Sequence, residues 1–349
     1  MEGDNIPEHF LKRIQDAKKL QLEELDLSNN YDANDNEKLT KIPDQVLELR
    51  QLIVLKLNNN IINELPKRLS NLVNLKKLDL SQNRLSIIPV SLGNLKNLTE
   101  LNLSNNKLFF IPTSFGNLNS LQLLILRHNE LLFFPSLKNI SILTNLDLSN
   151  NQLSELPESL GNISDLTNLD LSNNQLSELP EFLGNISNLT NLDLSNNQLS
   201  ELPEFLGNIS NLTNLDLSNN QLSELPESLV NISNLTNLDL SNNPIVNLPI
   251  EIVDKGIEAI KDYFRQLKEA GTERIYEAKL LILGEGGSGK TSLAKKIENP
   301  DYKLSKTEAS TEGIDIIKYN FSLDNDNEFI INIWDFGGQE IYHATHRFF

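Results

Sequence analysis

Between Leu283 and Ser292 the chain reads Gly284-Glu285-Gly286-Gly287-Ser288-Gly289-Lys290-Thr291, a G-x-x-x-x-G-K-[ST] pattern set directly after the apolar run Leu280-Leu281-Ile282-Leu283. Residues of these types in this order suit the holding of a polyphosphate. Glycines let backbone approach the charge, while successive N–H groups and a helix N-terminus converge on one anion. Lys290 is placed to reach the outer phosphates, and the Thr291 hydroxyl to ligate Mg²⁺. The apolar run reads as a strand over 278–283 and the segment after the loop as a helix over about 290–297, stopped before Pro300.

Two further elements define the chemistry. Asp335-Phe336-Gly337-Gly338 closes an apolar strand over 329–334. In such a D-x-x-G arrangement the Asp335 carboxylate holds a magnesium-bound water and the Gly338 N–H bonds the γ-phosphate. Gln339 follows at once, where switch GTPases keep the amide that orients the attacking water. Upstream, Thr311 lies in Ser310-Thr311-Glu312-Gly313-Ile314, ahead of a strand over 314–321, from which it approaches Mg²⁺ and the γ-phosphate from the opposite side. Lys290 and Gln339 are thus the candidate catalytic residues. Thr291, Thr311 and Asp335 are the candidate metal ligands. The turn Asp324-Asn325-Asp326-Asn327 joins two strands as an antiparallel pair.

The first two thirds of the chain is one unit copied ten times. Leu-x-Leu segments begin at Leu25, Leu55, Leu78, Leu101, Leu124, Leu146, Leu169, Leu192, Leu215 and Leu238, with a spacing of 23 from Leu146 onward. This is a leucine-rich-repeat period, and it implies an α/β solenoid in a horseshoe. An Asn follows each start by five residues, from Asn30 to Asn243, where a buried amide can bond the backbone of neighbouring coils. A Pro follows by eleven in nine coils, while the first carries Pro43 beyond an insertion at 31–37. Each coil buries its leucines only against the next, at roughly 1.5–3 kcal/mol per Leu, so the ends need covers. Phe10, Leu11, Ile14, Ala17 and Leu20 have the spacing of an N-terminal capping helix. A second helix over about 254–270 places Ile257, Ile260, Phe264 and Leu267 on one face. The expected organisation is a cap at 1–20, repeats at 21–250, a capping and linking helix at 251–273, and a phosphate-loop domain at 274–349.

Residues beside the leucines line the concave face. There the last five coils repeat Asn, Asp and Ser, which stacks Asp147, Asp170, Asp193, Asp216 and Asp239 at about 4.8 Å. The ladder suits a basic protein segment, or is simply solvated. Leu123, Ile125 and Arg127 break it, and Phe109, Phe110, Leu131, Leu132, Phe133 and Phe134 lie in adjoining loops, as contact residues or as packing.

Composition excludes several classes. The formal net charge of −18 repels a phosphodiester backbone, so no nucleic-acid partner is expected. Zero Cys removes thiolate chemistry, and four scattered His form no metal cluster. There is no stretch long and apolar enough for a membrane span, and the charged N-terminus is no signal peptide, which makes the cytoplasm the expected location. The repeated N-x-[ST] triplets read as by-products of duplication.

Taken together, the repeats, the linker from Lys255-Gly256-Ile257 to Tyr276-Glu277-Ala278-Lys279, the phosphate loop, Ser310–Ile314 and Trp334–Glu340 resemble the Roco family, in which leucine-rich repeats lead into a Ras-of-complex (Roc) domain. The resemblance implies the N-terminal half of a phosphate-loop, Ras-like α/β domain, GTP or GDP with Mg²⁺ as ligands, and a slow GTPase switch in a larger protein. It also implies a following COR domain through which such proteins dimerise. The chain stops at Phe349, before any [NT]-K-x-D element for guanine, so it reads as a fragment whose Roc part is marginally stable, poorly active and left with an unpaired strand edge at 278–283. Two other readings stay open: a protein-binding repeat module with an inert phosphate-loop segment, and an ATP-hydrolysing switch of the immune type. Against the latter, the repeats precede the loop here and the strand ends in Asp-Phe-Gly-Gly-Gln.

Overall fold

The computed structural model describes residues 6–137, 139–270, 277–283, 285, 287–304, 314–324 and 327–336. The chain divides into two compact units, Met1–Glu269 and Ala270–Phe349.

In the first unit every Leu-x-Leu segment becomes a three-residue strand: β1 (Glu24–Asp26), β2 (Val54–Lys56), β3 (Lys77–Asp79), β4 (Glu100–Asn102), β5 (Leu123–Ile125), β6 (Asn145–Asp147), β7 (Asn168–Asp170), β8 (Asn191–Asp193), β9 (Asn214–Asp216) and β10 (Asn237–Asp239). They pair in parallel, in chain order, as one ten-stranded sheet. The register puts leucine beside leucine, Leu146 against Leu169 and Leu192 against Leu215, so the inward side chains form one continuous core.

Polar side chains fix the coils to one another. Asn197 Nδ2 donates to the carbonyls of Leu171 (3.0 Å) and Leu194 (3.1 Å), and its Oδ1 accepts the Leu176 N–H at 3.0 Å. The same pattern recurs from Asn60 to Asn243. Asn30 is the exception: it is exposed, because no coil precedes it to supply carbonyls. Threonines add a second ladder, each hydroxyl of Thr167, Thr190 and Thr213 donating to the carbonyl of the Thr one coil earlier at 2.9–3.0 Å.

Pro66, Pro89, Pro112, Pro157, Pro180, Pro203 and Pro226, with φ between −68° and −77°, each start a five-residue 3-10 turn on the outer side. A proline ring fixes such a φ, and its missing N–H costs nothing at an N-cap, where that group would have no partner within the turn. The coils approach closely there: a Cβ at Gly161 would lie 2.6 Å from the Phe182 carbonyl oxygen, and one at Gly207 2.6 Å from that of Ser228. The ninth coil has Val230 at this position, and the partly buried Val230 packs into the core.

Helix α1 (Glu8–Leu20) covers the first coil with Phe10, Ile14 and Ala17, while Leu20 is exposed. A short α2 (Ile250–Val253) and α3 (Ile257–Ala270) follow the last coil, and Ile257, Ile260 and Phe264 are buried with Leu267 packed beside them. Of the apolar loop residues, Leu131 and Phe134 belong to the core, whereas Phe109, Phe110, Leu132 and Phe133 are exposed.

The second unit contains β11 (Glu277–Ile282), α4 (Lys290–Glu298), β12 (Ile314–Asp324) and β13 (Asn327–Phe336). The sheet order is β11-β13-β12, with β11 parallel and β12 antiparallel to β13. Among the described residues β11 is therefore an edge strand. Ile282, Ala294 and Ile333 form the core that seats α4 on the sheet, with Ile297, Ile317, Tyr319 and Ile331 around it.

Candidate phosphate-binding site

Parallel pairing of β11 with β13 sets Ile282 opposite Asp335. The loop leaving β11 and the carboxylate at the end of β13 thus emerge at one edge of the sheet, the place where open α/β sheets bind ligands. Beyond Ile282 the backbone turns through Gly287 (φ +80°) and Gly289 (φ +85°), the latter capping α4. Both values favour glycine, and a Cβ at either would meet nothing within 4 Å, so the loop faces open space.

Lys290 and Thr291 occupy the first turn of α4. Lys290 is buried, and its Nζ donates to the Glu285 carbonyl at 2.9 Å, which folds the ammonium back over the loop. The Thr291 hydroxyl donates to Asp335 Oδ2 at 2.5 Å, and the Asp335 side chain is fully buried. A hydroxyl and a carboxylate side by side are hard oxygen donors of the kind Mg²⁺ takes. The helix N-terminus and the Lys290 ammonium supply positive potential beside them. Ser288 is exposed and Ser292 half-buried in the same stretch. Gly284, Gly286, Thr311, Gly338 and Gln339 lie outside the described residues. Sequence reasoning missed the bond from Lys290 to the Glu285 carbonyl, since a lysine-to-backbone contact leaves no trace in residue types.

The strand face of the first unit is the second surface of interest. Asp147, Asp170, Asp193, Asp216 and Asp239 stand in register along β6 to β10. Each Oδ1 accepts the N–H of the Ser two residues on, at 2.9–3.1 Å. Burial raises the Asp193 pKa, hydrogen bonds from Ser195 oppose the rise, and the carboxylates of Asp170 and Asp216 add to it. Asp26 in the first coil shows the reverse outcome. Burial pushes it up, but hydrogen bonds from Ser28 and the nearby Lys56 and Arg13 hold it below the ordinary carboxylate value. A groove of about 790 Å³ runs over this face from Leu123 and Ile125 to Gly256 and Ile257.

The "Ras of Complex, Roc, domain of DAPkinase" family matches residues 279–349, and leucine-rich-repeat families match 86–131 and 187–245, 164–208, and 74–95 and 143–163. A stretch of 116 residues, 28% of this chain and 4% of the relative, is 34% identical to the probable serine/threonine-protein kinase pats1 of Dictyostelium discoideum. Another of 112 residues, 28% of this chain and 12% of the relative, is 31% identical to a Roc-COR-CHAT protease of Runella zeae. The chain thus spans a small part of these relatives. Among solved structures, the plant peptide hormone receptor RGFR1 in complex with RGF2 is similar over 58% of this chain and 34% of that one, with a TM-score of 0.53 and 32% identity. The chain accordingly carries a leucine-rich-repeat solenoid followed by a Roc GTPase-like segment, which is the Roco-type arrangement. No helix among the described residues is long and apolar enough to cross a membrane.

Proposed function

We propose that this chain is the sensing and nucleotide-binding part of a GTP-dependent signalling switch, joined to a repeat scaffold that binds a protein. The observation that carries the reading is the meeting of Lys290, Thr291 and Asp335 around an open glycine loop at one sheet edge. The similarity of residues 279–349 to Roc domains supports guanine nucleotide as the ligand.

In this reading the N–H groups from Gly284 to Thr291 and the Lys290 ammonium hold the phosphates. Thr291 and Asp335 hold Mg²⁺, with Thr311 joining from the opposite side. Gly338 bonds the γ-phosphate and Gln339 orients the attacking water. The metal, when bound, neutralises charge on the β- and γ-phosphate oxygens. With nucleotide and metal bound, the Lys290 ammonium would face the phosphates and the Thr291 hydroxyl and Asp335 carboxylate would face the cation. The functional division is a cap at 1–20, a scaffold at 21–250, a linker at 251–273 and a nucleotide domain at 274–349, in a cytoplasmic protein. The strand face is where this reading places a protein or peptide partner, and that the peptide hormone receptor RGFR1 is seen with RGF2 supports such a partner for the repeats.

Titrating the full chain with GTP and Mg²⁺ while following Trp334, the one tryptophan and the neighbour of Asp335, tests the reading. A saturable change with GTP supports it. No change with GTP, or the same change with ATP alone, leaves the chain as a repeat scaffold with an inert loop or as an ATP-binding switch.

A further inference from the structure

We propose that coils three to five carry, on the flank between strand and 3-10 turn, a docking stripe for one acidic amphipathic helix. The stripe consists of Ile87 (52% exposed), Phe109 (43%), Phe110 (38%), Leu132 (46%) and Phe133 (59%). These residues stand eight and nine positions after Leu101 and Leu124 and nine after Leu78, where Ser86 keeps the eighth position.

The array supplies its own control. In the next four coils the same two positions read Ser154-Glu155, Ser177-Glu178, Ser200-Glu201 and Ser223-Glu224. The fold therefore asks for nothing apolar there. The core positions are the seventh and tenth, filled by Leu85 and Ile88, Leu108 and Ile111, and Leu131 and Phe134, all buried. Three adjoining coils that depart together from Ser-Glu toward Phe, Leu and Ile make one contiguous surface. Its parts are held in place: the Phe109 and Phe110 rings meet edge to face at 5.0 Å, and the Leu132 N–H reaches the Phe109 carbonyl at 3.5 Å.

Size and charge specify the occupant. The exposed apolar area is on the order of 500 Å², within what marks a contact site and short of the roughly 800 Å² per side of a globular interface. Three coils at about 4.8 Å span about 10 Å, which is the distance from i to i+7 along a helix. A helix with apolar residues at i, i+3 or i+4, and i+7 places one anchor on each coil. Residues 74–137 hold six Lys and Arg against three Asp and Glu, and the stripe's own loops carry Arg84, which pairs with Asp35 at 2.8 Å, Lys107 and Glu130. Residues 139–239 hold fourteen Asp and Glu and no Lys, Arg or His. An acidic helix is drawn to the first region and repelled by the second, which fixes where along the array it lies.

The test uses the full chain and two labelled synthetic helices of 18 residues, both with Leu at the i, i+3, i+4, i+7 positions, one with Glu and one with Lys elsewhere. The variant is Phe110→Glu with Phe133→Glu, which places at those sites the residue the later coils carry. Expected are anisotropy-measured binding of the Glu helix that salt weakens, and a loss of at least tenfold in the variant, whose thermal unfolding by circular dichroism stays within a few degrees of the parent. Equal binding of the Glu helix by parent and variant, or preference for the Lys helix at this site, overturns the proposal. So does a parent that sediments as a dimer which the variant dissociates, since the stripe is then covered by a second copy.

Discussion

Thr291, on the first turn of α4, donates its hydroxyl to Asp335 at the end of β13, 44 residues away in sequence. The pair joins the helix that follows the phosphate loop to the strand that neighbours β11, so two distant motifs act at one point. Replacing Thr291 with Ala removes one metal ligand and leaves the loop in place. GTP affinity measured with Mg²⁺ is expected to fall at least tenfold, while affinity measured in excess EDTA stays within about twofold. Equal losses in both conditions contradict a metal role for Thr291.

The amide ladder predicts a large stability effect far from any site. Asn197→Ala leaves the Leu176 N–H without its partner in the core and takes one of two amide donors from the Leu171 and Leu194 carbonyls, which keep those of Asn174 and Asn220. At about 1–3 kcal/mol for the one buried group left unsatisfied, with the lost carbonyl bonds adding to it, the expected destabilisation is roughly 1–4 kcal/mol by urea unfolding. Asn30→Ala, at the exposed first position, is expected to change stability by less than about 0.5 kcal/mol.

Close approach of the outer turns predicts that Gly161→Ala is destabilising. The new Cβ meets the Phe182 backbone oxygen at 2.6 Å, and backbone has to move to admit it. A loss of about 1–3 kcal/mol is expected by the same unfolding measurement. An unchanged midpoint indicates that the coils are more loosely stacked.

The aspartate ladder gives a pH dependence. The Asp193 pKa is raised in the folded chain, chiefly by burial with Asp170 and Asp216 adding to it. The folded state then holds its proton at higher pH than the unfolded state, so stability falls as pH rises through the window between the unfolded and folded values and stays lowered above it. Asp193→Asn is expected to raise the melting temperature at pH 7 by a few degrees at most. Below the unfolded pKa the gain disappears. A gain of the same size at pH 3 and pH 7 contradicts the electrostatic origin.

Much of this was legible from residue order because the constraints are local and repeated. The period of 23, the Asn five places on and the Pro eleven places on each report a position within one coil, and each coil repeats the report. The phosphate loop is legible for the same reason, since its glycines, lysine and hydroxyl are contiguous. The division of Leu131 to Phe134 into two buried and two exposed residues was not read from the four apolar letters themselves. Comparison with Leu108 and Ile111 one coil earlier, and Leu85 and Ile88 two coils earlier, carries the signal. The insertion of β13 between β11 and β12 depends on pairings 53 residues apart, such as Ala278 with Ile331, which no local pattern encodes. Likewise Leu20 has helical spacing but sits at the end of α1, beyond the first coil's reach.

The central claim is that this chain holds a guanosine polyphosphate through the Lys290 loop. The most direct measurement is isothermal titration of GTP with Mg²⁺ into the full chain and into Lys290→Ala, with circular dichroism confirming equal folding. Saturable, one-site binding to the parent and a loss of at least a hundredfold in the variant are expected. Indistinguishable heats for the two proteins contradict the claim.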